Sequence, residues 1–246
     1  MKFLMIHDIR KEYFDLNLNS YRLTFDDGLY SQYYYFPLFK NHPDRLNYFI
    51  TTSFIKPAKA RKMYAGRPIA YLKTKKYMQR AFVEGQRDHF MTVEEIQTIS
   101  QFPNVRIGVH SHFHDVIVTQ RHPRKKKSLS SWKLARFAEC PQLSNQNLSI
   151  RSKLAFQGFE CRDGLLVRRS EVAWEDYIKY DTELCIAWVE QNLGFTPDMY
   201  CFPFNEHNEK LITILKSFGF KEFFAARPGK SREVKGRVDI DSLIDC

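Results

Sequence analysis

The residues of this 246-residue chain best suited to chemistry fall in four short clusters. The densest is His110-Ser111-His112-Phe113-His114, three imidazoles in five residues. His110 and His114 stand four apart, so one helical turn or a tight loop brings them to one side. Imidazoles beside a carboxylate make a good set for zinc or another divalent transition metal. A closed structural site wants four protein ligands, whereas two histidines and one aspartate leave positions for water, the catalytic pattern. His112 reads as the bystander of the three. The second cluster is Asp26-Asp27 in Thr24-Phe25-Asp26-Asp27-Gly28. Neighbouring carboxylates repel, so an enclosed pair calls for a nearby cation or a shared proton. Gly28 permits a tight turn directly after them, and the same residues also suit an exposed acidic turn. The remaining clusters are His7 and Pro203-Phe204-Asn205.

Each cluster follows a run readable as a strand. Lys2 to Ile6 precedes His7, Tyr21 to Phe25 precedes the aspartates, Val105 to Val109 precedes the histidines, and Met199 to Phe202 precedes Pro203. Further strands are expected over Asn47 to Ile55, Phe220 to Ala226 and Arg237 to Ile240. Between them lie helical signals. Leu29 to Lys40 is a helix that Pro37 should distort or end. Thr92 and Glu95 form a capping box ahead of a helix that stops near Phe102-Pro103-Asn104. Ser170 begins a long amphipathic helix ending near Gly194, and Glu206 to Phe218 is another. Strands alternating with helices imply βα units and a largely parallel sheet. In an α/β barrel the working residues project from the carboxyl ends of the strands, which is where all four clusters fall. Residues from about 56 to 90 and from about 120 to 170 read as insertions into one domain spanning 1–246, the second with some helix.

The net charge of +10 favours anionic partners. Much of the excess lies between Lys56 and Arg80 and in the run RHPRKKK from Arg121 to Lys127. These read as solvated loops, since stacking aromatics are not regularly interleaved with them and no specific nucleic-acid motif occurs. Aromatic residues make up 15% of the chain, which suits walls for sugar rings but more often fills a core. The five cysteines are widely spaced with no CxxC pair, so neither a zinc knuckle nor a disulfide scaffold is expected. Reduced thiols in a cytoplasmic protein are the simplest account. No apolar run reaches the length of a signal peptide's core or a spanning helix.

The sequence resembles the polysaccharide deacetylase family, also called NodB-homology or carbohydrate esterase 4. Thr24-Phe25-Asp26-Asp27-Gly28 matches its first motif in full, and His110-Ser111-x-x-His114 its second. Cys201-Phe202-Pro203-Phe204-Asn205 looks like a degenerate third motif, and Arg237-Val238-Asp239-Ile240 like the late arginine-containing strand. The resemblance implies a distorted (β/α) barrel of about seven strands. It implies that Asp27, His110 and His114 hold a divalent metal, with zinc first and cobalt, nickel or manganese as substitutes. It also implies that Asp26 is the general base and that the Phe204 N–H binds the oxyanion, with Pro203 in support. Two departures stand out. Cys201 sits where an arginine usually orients the base, with Arg237 and Arg227 as candidate substitutes, and the final leucine-x-histidine motif is absent. Leu4-Met5-Ile6-His7-Asp8 resembles the early histidine strand of the poly-N-acetylglucosamine deacetylases, a branch whose motif order looks circularly permuted. There the early histidine is the acid, a role that falls here to His7, with His207 as an outside candidate.

The expected activity is therefore hydrolysis of an N-acetyl group on an amino sugar. The partner would be a surface-glycan precursor of O-antigen or capsule type, with the positive charge suiting a phosphate-bearing donor or peripheral contact with an anionic membrane. Three other readings remain. The same site could cleave a formyl group, an ester or a non-sugar amide. The barrel could be a silent sugar binder, or charge alone could serve nucleic acid, which salt-sensitive duplex binding would reveal.

Overall fold

Short runs in which nearly every residue is buried build the centre of this protein. The computed structural model describes residues 1–121, 130–140, 143, 148–227, 229 and 231–244. Strands β1 (Phe3–Ile6), β2 (Arg22–Phe25), β3 (Leu46–Ile50) and β4 (Val105–Val109) come first. In β3 all five residues are buried, as expected where a parallel sheet is covered on both faces. An antiparallel group follows: β5 (Val116–Arg121), β6 (Leu148–Ser152), β7 (Phe159–Arg162) and β8 (Leu165–Arg168), in the order β6-β5-β7-β8. Strands β9 (Met199–Cys201), β10 (Glu222–Ala225) and β11 (Val234–Asp239) complete the set. Seven strands close into a parallel barrel in the order β1-β11-β10-β9-β4-β3-β2. Closure is made by β1 against β11, with Phe3 beside Arg237 and Met5 beside Asp239, so first and last strands are neighbours.

The barrel interior is filled by Phe49, Met199, Cys201 and Phe224, against which Phe3 packs. Gly108 lies where a Cβ would come 2.7 Å from the Met199 carbonyl oxygen and 3.0 Å from the Phe49 ring. A larger residue there would push β4 off β9. Outside, Phe25 stacks on Tyr48 at 4.5 Å, within the layer between strands and helices.

The helices mostly begin and end where their caps direct. In α4 (Val93–Ser100) the Thr92 side chain accepts from the Glu95 N–H and the Glu95 carboxylate accepts from the Thr92 N–H. In α6 (Glu171–Leu193) Ser170 caps the start, and Gly194 ends it at φ 77°. Helix α7 (Glu209–Ser217) starts later than the expected Glu206, because Asn208 accepts from the Leu211 N–H and sets the cap. Instead of one distorted helix over Leu29 to Lys40, there are two: α1 (Tyr30–Tyr34) and α2 (Phe36–Phe39). Pro37 sits in the first turn of α2, where its missing N–H is not needed. Strand β3 stops at Ile50, five residues short of expectation, because Thr52–Phe54 turn into a 3-10 helix.

The segment expected near 56–90 contains α3 (Thr74–Phe82), and one of the buried acids that hold it is Glu95 on α4. Arg61 donates from Nε to Glu95 Oε1 and from Nη2 to Oε2, both at 2.8 Å, and also to the carbonyls of Asp88 and Phe90. Its guanidinium lies 3.6 Å from the centre of the Tyr30 ring. Glu95 has no exposed surface, so an Arg61→Met substitution would strand a buried charge. Breaking a buried pair costs about 3–5 kcal/mol, and the partial exposure of Arg61 places this one near the lower end. The expected result is a lower denaturation midpoint and faster proteolysis within 56–90; unchanged values for both would show that the pair contributes nothing.

The segment expected near 120–170 is mainly sheet rather than loop with helix. Among its described residues the helix is α5 (Ser131–Ala135) alone. The missed signals are local: β6 alternates buried and partly exposed positions, and Asp163-Gly164, both at positive φ, turn β7 into β8. The basic run beyond Arg121 and most of the polar stretch 141–149 lie outside the described residues. The expectation of reduced thiols is corrected for two cysteines, since Cys140 and Cys161 are joined in a disulfide that ties the α5 segment to β7. Wide spacing hid this pair, because the sheet, not the sequence interval, brings its halves together. No helix among the described residues is long and apolar enough to cross a membrane.

Candidate metal centre

Four of the barrel strands deliver the four clusters to one end of the barrel. Asp26 and Asp27 follow β2, His110 follows β4, Pro203-Phe204-Asn205 follow β9, and His7 follows β1. The backbone there is unusual. Asp27, Ser111, His114, Phe204 and Asn205 all have positive φ, between 50° and 72°. Such conformations cost on the order of 1–3 kcal/mol each outside glycine and persist only where surroundings impose them.

The histidine loop is held from three directions. The His114 N–H donates to Ser111 Oγ at 2.8 Å, closing a tight turn rather than a helical one. Beneath it, the N–H groups of Thr52 and Ser53 donate to the carbonyls of Ser111 and His112. Behind it, Asp181 on α6 accepts from the His112 N–H at 3.0 and 3.1 Å and from the Phe113 N–H at 3.0 Å. His110 and His114 thereby face Asp27, with Nε2 atoms 3.5 and 3.7 Å from its Oδ1. His112 turns away, its Nδ1 2.8 Å from Thr52 Oγ1.

Asp27 Oδ1 is buried without a hydrogen-bond partner, while Oδ2 accepts from the Tyr77 hydroxyl at 2.7 Å. His110 Nδ1 lies 2.9 Å from the Cys201 carbonyl, so it carries the proton and leaves the Nε2 lone pair toward Asp27. Burial lowers the pKa of both histidines, that of His114 to about 4 against the nearby Asp27 charge, so both rings are neutral at neutral pH. An orphaned carboxylate oxygen facing two bare imidazole nitrogens fits a divalent ion. Asp26, His110 and Cys201 form a second group of ligand type. It fits less well, because both Asp26 oxygens already hold a guanidinium that would repel a cation.

That guanidinium belongs to Arg237. Its Nη1 donates to Asp26 Oδ1 at 2.6 Å and its Nη2 to Oδ2 at 2.9 Å, in a fully buried fork. Arg237 also donates to Thr24 Oγ1 and to Asn205 Oδ1. The Cys201 thiol lies 3.6 Å from Asp26 Oδ1, and His7 Nε2 lies 3.9 Å from Oδ2. Burial pushes the Asp26 carboxyl up, but Arg237, with His110 and His7, holds it well below the usual carboxylate range. Arg227 offers only its carbonyl, to His207, whose ring packs on Phe202 rather than on either aspartate. The Phe204 ring lies 4.6 Å from that of His114, and Trp132 from α5 is parallel to it at 6.2 Å.

Sequence reasoning missed Tyr77, Trp132 and Asp181. Tyr77 and Trp132 come from segments read as excursions. Asp181 had a signal: it falls on the buried stripe of α6 with Ile178, Cys185 and Val189. Burial raises its pKa to about 7 against the pull of the two backbone N–H groups. A carboxyl raised in the folded state stabilises fully below its ordinary value and loses that contribution as pH rises through about 7. Stability should therefore fall as pH rises from the ordinary value of 3.8 to about 7 and level off above it, and Asp181→Asn should flatten that slope. Parallel melting curves for the two proteins across this range would refute the assignment.

No protein-family model matches the chain, nor does any curated protein. Solved structures do match. The deacetylase domain of BpsB from Bordetella bronchiseptica superimposes with a TM-score of 0.58 at 17% identity, covering 89% of this chain and 71% of that one. A de-N-acetylase from Aggregatibacter actinomycetemcomitans gives 0.61 at 12% identity, covering 99% and 98%. IcaB from Ammonifex degensii gives 0.57 at 15%, covering 99% and 93%. At these identities the likeness concerns the fold: a closed, seven-stranded parallel barrel ringed by helices, the (β/α) barrel of NodB-homology type.

Proposed function

We propose that this protein is a metal-dependent hydrolase that removes the N-acetyl group of an amino sugar in a surface-glycan precursor of O-antigen or capsule type. The observation that carries the reading is the buried, unpartnered Asp27 Oδ1 facing the Nε2 atoms of His110 and His114. Those three residues would hold a divalent ion, zinc before cobalt, nickel or manganese. Such an ion acidifies water and draws negative charge from an acyl oxygen. The acyl substrate itself is suggested by the solved deacetylases that share the fold.

The chain's own residues supply the rest. Asp26 accepts a proton from the water as its oxygen bonds to the acetyl carbon. So firmly ionised a carboxylate is a weak base, which suits a water already made acidic. Arg237 fixes its orientation, taking over the role of the arginine whose usual place in the third motif is filled here by Cys201. The Phe204 N–H, turned by its left-handed backbone and by Pro203 before it, donates to the developing oxyanion. His7, partly exposed beside Asp26, gives its proton to the sugar nitrogen as the C–N bond breaks, releasing acetate and a free amine. We read residues 1–246 as one catalytic domain, with the segments near 56–90 and 120–170 bringing Tyr77 and Trp132 to the centre. The charge of +10 favours a phosphate-bearing precursor or action beside an anionic membrane.

Bound metal per chain tests this directly, measured after dialysis in wild type, Asp27→Ala and His110→Ala. About one equivalent in wild type, lost in both variants, together with acetate release from N-acetyl sugars, is expected. A wild type that takes up no zinc, cobalt, nickel or manganese would leave a silent sugar-binding barrel as the better account.

A further inference from the structure

We infer that Tyr77 is a positioning residue that leaves Asp27 a single oxygen to offer a metal, and so sets the preference of the site for zinc over oxygen-seeking ions such as manganese. The inference rests on the metal-site reading above and adds to it a determinant of which ion is held.

Tyr77 lies on α3, in a basic stretch with no other link to the chemistry. Its side chain has no exposed surface. The ring is clamped: His89 stacks on it at 5.6 Å and an interplanar angle of 21°, and Phe90 meets it edge-on at 5.9 Å. His89 Nε2 lies 3.4 Å from Asp8 Oδ2 without forming a hydrogen bond to it. The clamp aims the hydroxyl at Asp27 Oδ2, 2.7 Å away, while Oδ1 has no hydrogen-bond partner and faces the two histidines. A carboxylate with both oxygens free can grip a cation with the pair, a mode that larger, oxygen-preferring ions use to fill their coordination. With Oδ2 engaged by a hydroxyl, Asp27 presents one oxygen beside two nitrogens. That sparse, nitrogen-rich set suits zinc. The hydrogen bond also fixes the carboxylate plane, as outer partners of metal ligands commonly do.

The test is Tyr77→Phe, which deletes one oxygen and keeps the ring in its clamp. A melting curve taken without metal should stay close to wild type. Zinc affinity is read by competition with a chromophoric chelator, and manganese affinity by electron paramagnetic resonance, so neither readout needs turnover. Zinc binding should weaken by about 10–100-fold, the usual effect of losing an outer partner. Manganese should lose less, because the freed Oδ2 becomes a ligand, so the zinc-to-manganese ratio of affinities narrows. Tyr48→Phe is the control. Its hydroxyl is also buried but has no partner, and its removal should leave the ratio unchanged. A Tyr77→Phe ratio equal to that of wild type, whether both affinities hold or fall together, overturns the inference and leaves the metal site standing. A wild type that binds neither ion overturns the metal site and the inference with it.

Discussion

Asp26→Asn is expected to lower turnover by about 10²–10⁴-fold, the usual contribution of a positioned base, while bound metal stays at the wild-type level. Asparagine keeps the shape of the side chain and cannot accept the proton of the attacking water. The proposed ligands Asp27, His110 and His114 do not include it. The substitution also acts on the fold, because Arg237 is buried and loses its counter-charge. Uncovering one partner of a buried pair costs about 3–5 kcal/mol, so kinetics belong at a temperature where the variant is fully folded. The pH dependence separates the two effects. A carboxyl held below its ordinary value of 3.8 contributes its stability fully above that value and loses it only as pH falls through the folded value. The stability difference between wild type and variant should therefore be constant near neutral pH and shrink in acid. Turnover per folded chain equal to wild type would remove Asp26 from the chemistry.

The barrel could be read from the sequence because its parts are short and self-signalling. Most barrel strands were expected within a few residues, since they are compact apolar runs, although β3 ends five residues early and β11 is a mixed-polarity strand that begins three residues before the expected Arg237, and the caps at Thr92, Ser170 and Gly194 placed two helices well. The resemblance of the two motifs implied that Asp27, His110 and His114 act together, and their side chains meet across the ends of β2 and β4, which β3 separates in the barrel. What escaped was supplied from a distance. Nothing in Lys73 to Phe82 says that Tyr77 will meet Asp27, fifty residues away, since the only local signal is an aromatic on the buried face of a short helix. The choice between Arg237 and Arg227 was open for the same reason. It is settled by register: β11 lies beside β1, and β1 lies beside β2, directly after which comes Asp26. The antiparallel sheet was missed because polar and basic residues obscured an alternation that was present, and the disulfide because only that sheet brings its two widely spaced cysteines together.

Arg237→Met is expected to destabilise the protein by about 3–5 kcal/mol and to remove most activity, through a different route from Asp26→Asn. Here the carboxylate is the group left behind. Burial already pushes Asp26 upward, and Arg237 is the first of the charges opposing it. Without the guanidinium, its carboxyl should rise, so that protonation stops catalysis at a higher pH than in wild type. The acidic limb of the pH–rate profile should accordingly move toward neutrality, a displacement that general unfolding would not produce. Asn205 would lose one donor to its side-chain oxygen but keep the Ala226 N–H at 2.7 Å, so the Phe204 turn should survive. The decisive comparison is the double variant Asp26→Asn with Arg237→Met. Each single change strands one buried charge, whereas the double leaves none. It should be more stable than either single variant, although inactive, because replacing a whole buried pair is often neutral while halving it is not. Stability losses that simply add in the double variant would mean that the two side chains are not coupled. The fork between them would then not be what holds the base in place.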